Sequence, residues 1–207
     1  MTTDEGITNK GFGPRYRHFR KVEDERVPPG QYLTDGFPVL TAGPTQYMDR
    51  RAWELTVSDG RVEKTYDWAS LLELESVELT TDIHCVTHWT KFDTLWKGVP
   101  MATLFEDAGL DELPYALVHS YGGYTTNLPY EDLVEQDAMI AYSYDDGDIP
   151  SEHGGPVRLL VPHLYLWKSA KWVRRIELQD VEEPGFWETA GYHNYGDPHR
   201  EQRYDGD

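Results

Sequence analysis

Ala52-Trp-Glu-Leu-Thr-Val-Ser-Asp-Gly-Arg-Val-Glu-Lys-Thr-Tyr66 is the stretch that decides the fold class. Trp53, Leu55 and Val57 alternate with Glu54, Thr56 and Ser58, the period of a half-buried strand. Asp59-Gly60 supplies a turn, and Arg61 to Tyr66 returns, so the segment is a β-hairpin. Downstream, Asp67 can cap a short helix reaching Leu74, Val77 to Cys85 reads as a strand, and Pro100 to Ala108 reads as a helix closed by Gly109. Tyr115–Ser120, Ala138–Tyr144, Val157–Val161 and Trp172–Leu178 add short strands between Gly, Pro and Asp turns. Strands outnumber helices, which gives an α+β fold, predominantly β.

The chain has 207 residues, enough for one large domain, and neither a repeat nor a low-complexity linker divides it. Residues 1–35 are polar and broken by Pro28, Pro29 and Gly30, with cations at Arg15, Arg17, Arg20 and Lys21, and read as an N-terminal arm. Residues 36–182 form the domain. Residues 183–207, with Phe186, Trp187, Tyr192, Tyr195 and Tyr204, read as an aromatic tail wrapped back onto it. No run reaches the roughly 18 apolar residues of a membrane span, and MTTDEGITNK lacks a secretory signal, so the expected location is the cytoplasm.

The formal charge is −18, a field that opposes nucleic acid and anionic membranes and fits a halophilic protein, whose self-repulsion concentrated salt screens. Against this background His153 to Ile176 holds Arg158, Lys168, Lys171, Arg174 and Arg175 and no acid, where about 4 acids would be average. The island either binds an anion, with Gly154 and Gly155 letting backbone N–H groups approach it, or meets acids elsewhere in the fold. Cys85 is the single cysteine, which excludes an intrachain disulfide and a Cys-based zinc cluster. It is an inert buried residue, a nucleophile activated by His84 and His88, or part of a mixed His/Cys metal site. Tyr142, in Ala141-Tyr-Ser-Tyr-Asp-Asp-Gly147, is by composition an ordinary strand tyrosine. Serine-hydrolase, P-loop and dinucleotide fingerprints are absent, so no nucleotide cofactor is expected.

Taken in order, Asp82-Ile-His-Cys-Val-Thr-His-Trp89, His153-Gly-Gly-Pro-Val-Arg-Leu-Leu-Val-Pro162 and Trp167-Lys-Ser-Ala-Lys-Trp-Val173 resemble the molybdopterin-binding domain of the sulfite oxidase superfamily. The likeness runs from about Gly36 to Trp187 and is nearest to short prokaryotic sulfite oxidase-like oxidoreductases. It implies that fold, molybdopterin carrying molybdenum (with tungsten as the alternative), and Cys85 as the thiolate ligand of the metal. It also implies that His153 and Arg158 contact the cofactor and that Ser169, Ala170 and Lys171 hold its phosphate through main-chain N–H groups and the Lys charge. Ser120, 35 residues after Cys85, falls where relatives place a cofactor-contacting Thr, and Leu40 and Thr41 lie in the segment that covers the pterin.

By the same resemblance Tyr142 matches the active-site Tyr of the oxidases. The sulfite-binding arginines have no counterpart, which leaves His88 or Lys91 to take their place and puts sulfite as substrate in question. The implied function is oxygen-atom transfer to or from a small substrate such as a sulfoxide or sulfite. No haem domain fits in the chain, so an external electron carrier is implied. A non-catalytic carrier of the cofactor is the competing reading, and a cofactor-free Cys/His enzyme a third.

Overall fold

The computed structural model describes residues 24–207, so the four N-terminal cations singled out above, Arg15, Arg17, Arg20 and Lys21, lie outside the described residues. The strands are β1 (Tyr32–Leu33), β2 (Glu54–Ser58), β3 (Glu63–Asp67), β4 (Val77–His84), β5 (Trp89–Pro100), β6 (Tyr115–Ser120), β7 (Thr125–Pro129), β8 (Met139–Tyr144), β9 (Gly147–Asp148), β10 (Arg158–Leu160) and β11 (Val173–Gln179). The helices are α1 (Trp68–Leu72), α2 (Met101–Ala108), α3 (Tyr130–Val134) and α4 (Phe186–Thr189). No helix among the described residues is long and apolar enough to cross a membrane.

The hairpin β2–β3 forms in the expected register, Leu55 opposite Tyr66 and Thr56 opposite Thr65. Its turn is pinned by Asp59, whose Oδ1 accepts the N–H groups of Arg61 and Val62, with Gly60 at φ +83°. Asp67 caps α1 in a reciprocal capping box with Ser70. In α2, Met101, Leu104, Phe105 and Ala108 are buried at the i, i+3, i+4, i+7 spacing of one helix face, and Gly109 ends the helix at φ +67°.

Two sheets form, one in the order β3-β2-β11-β6-β7 and the other β1-β5-β8-β10, with β4 also paired to β5 and β9 to β8. The main core lies between them: Leu55, Val57, Val118 and Ile176 from the first sheet meet Val99, Ile140 and Leu159 from the second. The second sheet's other face carries a smaller cluster of Ile83, Cys85, Trp89, Trp96, Met139, Ala141 and Leu160. Strand alternation therefore sends Ile140 inward and Ala141 toward Cys85.

Several elements go beyond the sequence reading, β7 and α3 among them. Tyr32–Leu33, placed in the arm, is a parallel strand against Trp89–Thr90 of β5. The long β5 has no counterpart in the sequence reading, its Lys91, Asp93 and Lys97 breaking the apolar pattern; it is kept in the sheet by β4 on one side and β8 on the other.

Candidate active site

Cys85 follows directly on β4, where the chain turns sharply into β5. The turn closes by His88 N–H donating to Cys85 O at 3.0 Å and Cys85 N–H to Trp89 O at 2.9 Å, with His88 in the left-handed region at φ +73°. Gln31 Nε2 donates to Cys85 O at 3.1 Å, and Thr87 Oγ1 donates to the sulfur at 3.1 Å. Burial pushes the thiol up, while Thr87 and the charges of Lys171 and Arg203 pull it down.

The thiol opens on a cavity of about 370 Å³, which Arg158, Ser169, Lys171, Leu40 and Thr41 also line. Phe37, Tyr121, Tyr124, Trp172, Trp187 and Tyr192 give it a largely aromatic wall. Arg158 is 1% exposed, and its guanidinium donates to the carbonyls of His153 at 2.7 Å and Ser169 at 2.9 Å. Burial lowers it to about 10. Lys171 Nζ donates to the carbonyls of Leu40 at 2.7 Å and Glu152 at 2.6 Å, and burial with Arg158 lowers it to about 8. Neither cation has a carboxylate within ion-pair distance among the described residues; Lys171 is half-buried, and for the fully buried Arg158 an unpaired charge costs several kcal/mol. Two cations left this way in one cavity define a place for an anionic ligand.

The basic island therefore divides. Lys168 is neutralised by Glu188 at 2.6 Å, and Arg175 bridges Glu63 and Glu177, so these meet acids elsewhere in the fold. Arg174 lies over the Tyr121 ring. The expectation that Gly154 and Gly155 offer N–H groups to an anion is corrected, since they donate to the carbonyls of Ser151 and Pro150. Close packing explains Gly155, where a Cβ would stand 1.9 Å from Ile149 O. Ser169 is likewise corrected: its N–H is spent on Leu166 O and its Oγ accepts from Val161 N–H. Ala170 is buried behind it, and its carbonyl accepts from Leu159 N–H.

His153 and Ser120 stand behind the lining rather than in it. His153 is buried and stacks on Phe37, and its Nδ1 has no hydrogen-bond partner. The buried Ser120 Oγ is also unpartnered, next to the Tyr121–Tyr124 wall. Two further expectations are corrected. His88 is exposed and turns to the arm, its Nδ1 bonded to Gly30 O at 2.9 Å, and Lys91 reaches Asp35 O, so neither lines the cavity. Tyr142 is the extra residue of a β-bulge, because Lys97 pairs with Ser143 and Gly98 with Ala141. Strand alternation puts it on the Ile140 face of β8, away from Cys85, at the edge of Trp68 in a separate depression that Arg50 and Lys97 border.

Sequence reasoning missed Gln31, Tyr121, Tyr124 and Arg203, which reach the site only by folding, and Thr87, which stands two residues from the thiol in the Asp82–Trp89 stretch. A signal existed only for the tail, whose aromatic content pointed to docking. Among the described residues no three His, Cys, Asp or Glu side chains converge, and His84 is engaged with Thr90 instead. The mixed His84–Cys85–His88 metal site is therefore not formed. A metal at Cys85 needs most of its ligands from a cofactor, and the aromatic wall with two unpaired cations fits a flat, anionic, sulfur-bearing one.

Such a site, on two packed sheets, defines a cofactor-dependent oxidoreductase. A model of the "Oxidoreductase molybdopterin binding domain" matches residues 42–187, and the chain belongs to that family. It is 42% identical over 190 residues to "Uncharacterized oxidoreductase YuiH" of Bacillus subtilis, covering 88% of this chain and 93% of the other. Identity to the "Protein-methionine-sulfoxide reductase catalytic subunit MsrP" of Gluconobacter oxydans is 29%, over 55% of this chain and 42% of that one. The mitochondrial sulfite oxidase of Drosophila melanogaster is 22% identical over 79% of this chain and 32% of that one. Among solved structures, the sulfane dehydrogenase SoxCD of Paracoccus pantotrophus superposes with a TM-score of 0.60 at 21% identity, over 66% of this chain and 40% of that chain. The fold is thus of the sulfite oxidase type, and the chain is a molybdopterin-dependent oxidoreductase.

Proposed function

We propose that this oxidoreductase transfers an oxygen atom to or from a small, neutral sulfur compound of the sulfoxide type, using molybdenum held by Cys85. The observation that carries the reading is the Cys85 thiol in one cavity with two cations, Arg158 and Lys171, that lack carboxylate partners. The names of the methionine-sulfoxide reductase and sulfite oxidase relatives support the sulfur chemistry. When bound, the cofactor supplies a metal that changes oxidation state by two electrons as oxygen is exchanged.

The chain's own residues would hold and shape. Cys85 offers the soft ligand on a rigid turn, Lys171 and Arg158 meet the phosphate charge, and the aromatic wall accepts the pterin plane. Around the thiol, Val86, Leu166, Trp187 and Tyr192 present apolar and aromatic surface. His88 and Lys91 are bonded elsewhere, so neither offers an added anion such as sulfite a cation in the cavity. That favours a neutral substrate over sulfite. Two electrons are exchanged with an external carrier, supplied by it when a sulfoxide is reduced and passed to it when a substrate is oxidised, and the charge of −18 fits work in a salt-rich cytoplasm.

Elemental analysis and EPR of purified holoenzyme and Cys85→Ala test the reading. Molybdenum signal and turnover are expected in the first and lost in the second, with folding retained. Wild-type signal in the variant, or efficient sulfite oxidation with no sulfoxide turnover, overturns the corresponding half.

A further inference from the structure

The Cys85 turn is gripped from outside the family-matched span of 42–187. Arg203, near the end of the tail, is 7% exposed and sends Nη1 to Val86 O at 2.6 Å, one residue beyond the thiol. Its Nη2 faces Pro29 O at 3.5 Å, and its guanidinium lies 5.0 Å from the centre of the buried Tyr165 ring. The nearest carboxylate, Glu201, is 4.0 Å away and half exposed, so solvent weakens its compensation of this charge. From the other terminus Gln31 holds Cys85 O, and Gly30 O holds the His88 ring.

The tail delivers Arg203 by its own bonds. Asp207 Oδ2 accepts the N–H groups of Arg203 and Tyr204, His193 N–H donates to Arg203 O, and Tyr192 bridges to Tyr204. Gly30 makes room, since a Cβ there would stand 2.7 Å from Glu201 Oε1 and 3.4 Å from Arg203 Nη2. A buried cation this close to the thiol does two things at once. It fixes the carbonyl that follows the sulfur, and it stabilises negative charge on the sulfur through a poorly screened medium.

We propose that Arg203 is a positioning residue of the metal ligand: the tail locks the Cys85 turn through Val86 O and places a positive charge behind the thiolate, raising the potential of the metal it binds. The proposal rests on the reading of Cys85 as metal ligand. The charge favours the more electron-rich, reduced state, so its removal lowers the midpoint potential.

Three variants separate the two roles. In Arg203→Met both the charge and the donor are lost; Arg203→Gln keeps a donor without charge; Arg203→Lys keeps charge and donor. Amide exchange at 86–88 in the cofactor-free chain is expected to rise about tenfold in Arg203→Met, with the β2–β3 hairpin unchanged. In loaded enzyme the midpoint potential, followed by the metal's EPR signal, is expected to fall in Arg203→Met and Arg203→Gln and to stay near wild type in Arg203→Lys. Unchanged potential in both neutral variants, or a lowered melting temperature with unchanged exchange at the turn, overturns the proposal. If Arg203→Met fails to fold, equal potentials in the Gln and Lys variants overturn it. A Cys85→Ala enzyme that keeps the wild-type signal would instead remove the ligand assignment, while the exchange measurement still reports on Arg203.

Discussion

Phe37 and His153 stack face to face, with ring centroids 3.8 Å apart and planes 11° from parallel. Phe37 also makes tilted contacts with Trp89, Trp96 and Tyr144, so one ring ties the segment after β1 to the second sheet and to the loop ahead of Arg158. The imidazole is thereby sealed from water. Burial, then Arg158 and Lys171, lower it to about 4, with Glu152 opposing weakly.

A histidine held neutral in this way makes the cofactor-free chain acid-sensitive. Its folded pKa lies below the unfolded 6.5, so the unfolded chain binds the proton first as pH falls. The stability is full above pH 6.5 and is lost progressively toward pH 4, by on the order of 3 kcal/mol for this group. His84, also lowered to about 4 by burial, adds to the loss. Urea midpoints at pH 7 and pH 5 should fall less in His153→Phe than in wild type. An equal fall in both would show that His153 is not held neutral.

Removing Arg158 or Lys171 should empty the site. Losing one charge-assisted partner of a buried anion costs on the order of 2 to 5 kcal/mol, so Arg158→Ala and Lys171→Ala are expected to purify depleted in pterin. The oxidised pterin's fluorescence after denaturation gives the occupancy. Full occupancy in both variants would mean that the cations serve something else.

Tyr142→Phe should leave turnover, EPR and pterin content at wild-type values. Its ring meets Trp68 on the face of β8 away from Cys85 and its hydroxyl makes no bond among the described residues, so the stability change should stay within about 0.5 kcal/mol. A tenfold loss of turnover at unchanged cofactor content would restore the catalytic role that the sequence resemblance assigns to it.

Gly155→Ala should destabilise by more than about 2 kcal/mol, because the new methyl meets the fixed carbonyl of Ile149 and must displace the loop that carries His153. Gly147→Ala, whose nearest neighbour is 3.7 Å away, is the control and should be tolerated. Equal melting temperatures for the two would contradict the close packing.

What the sequence determined by itself was local. Alternation of Trp53, Leu55 and Val57, the Asp59-Gly60 turn, the Asp67 cap and the Gly109 stop each act within a few residues, and each element forms where those signals stand. The family, too, is legible, since the three stretches that carry the resemblance, around Cys85, His153–Pro162 and Trp167–Val173, all lie within the matched span of 42–187. Tertiary structure alone decided which of the marked residues meet. A left-handed turn aimed His88 at the arm, and Lys91 went to Asp35 O rather than to the cavity. Lys168 finds Glu188 and Arg175 finds Glu63 besides its neighbour Glu177, whereas Arg158 and Lys171 find no carboxylate among the described residues. Gln31 and Arg203 are 172 residues apart and meet the same turn. The aim of a turn side chain and charge pairing between distant segments depend on how the two sheets and the tail pack, and no local pattern encodes that.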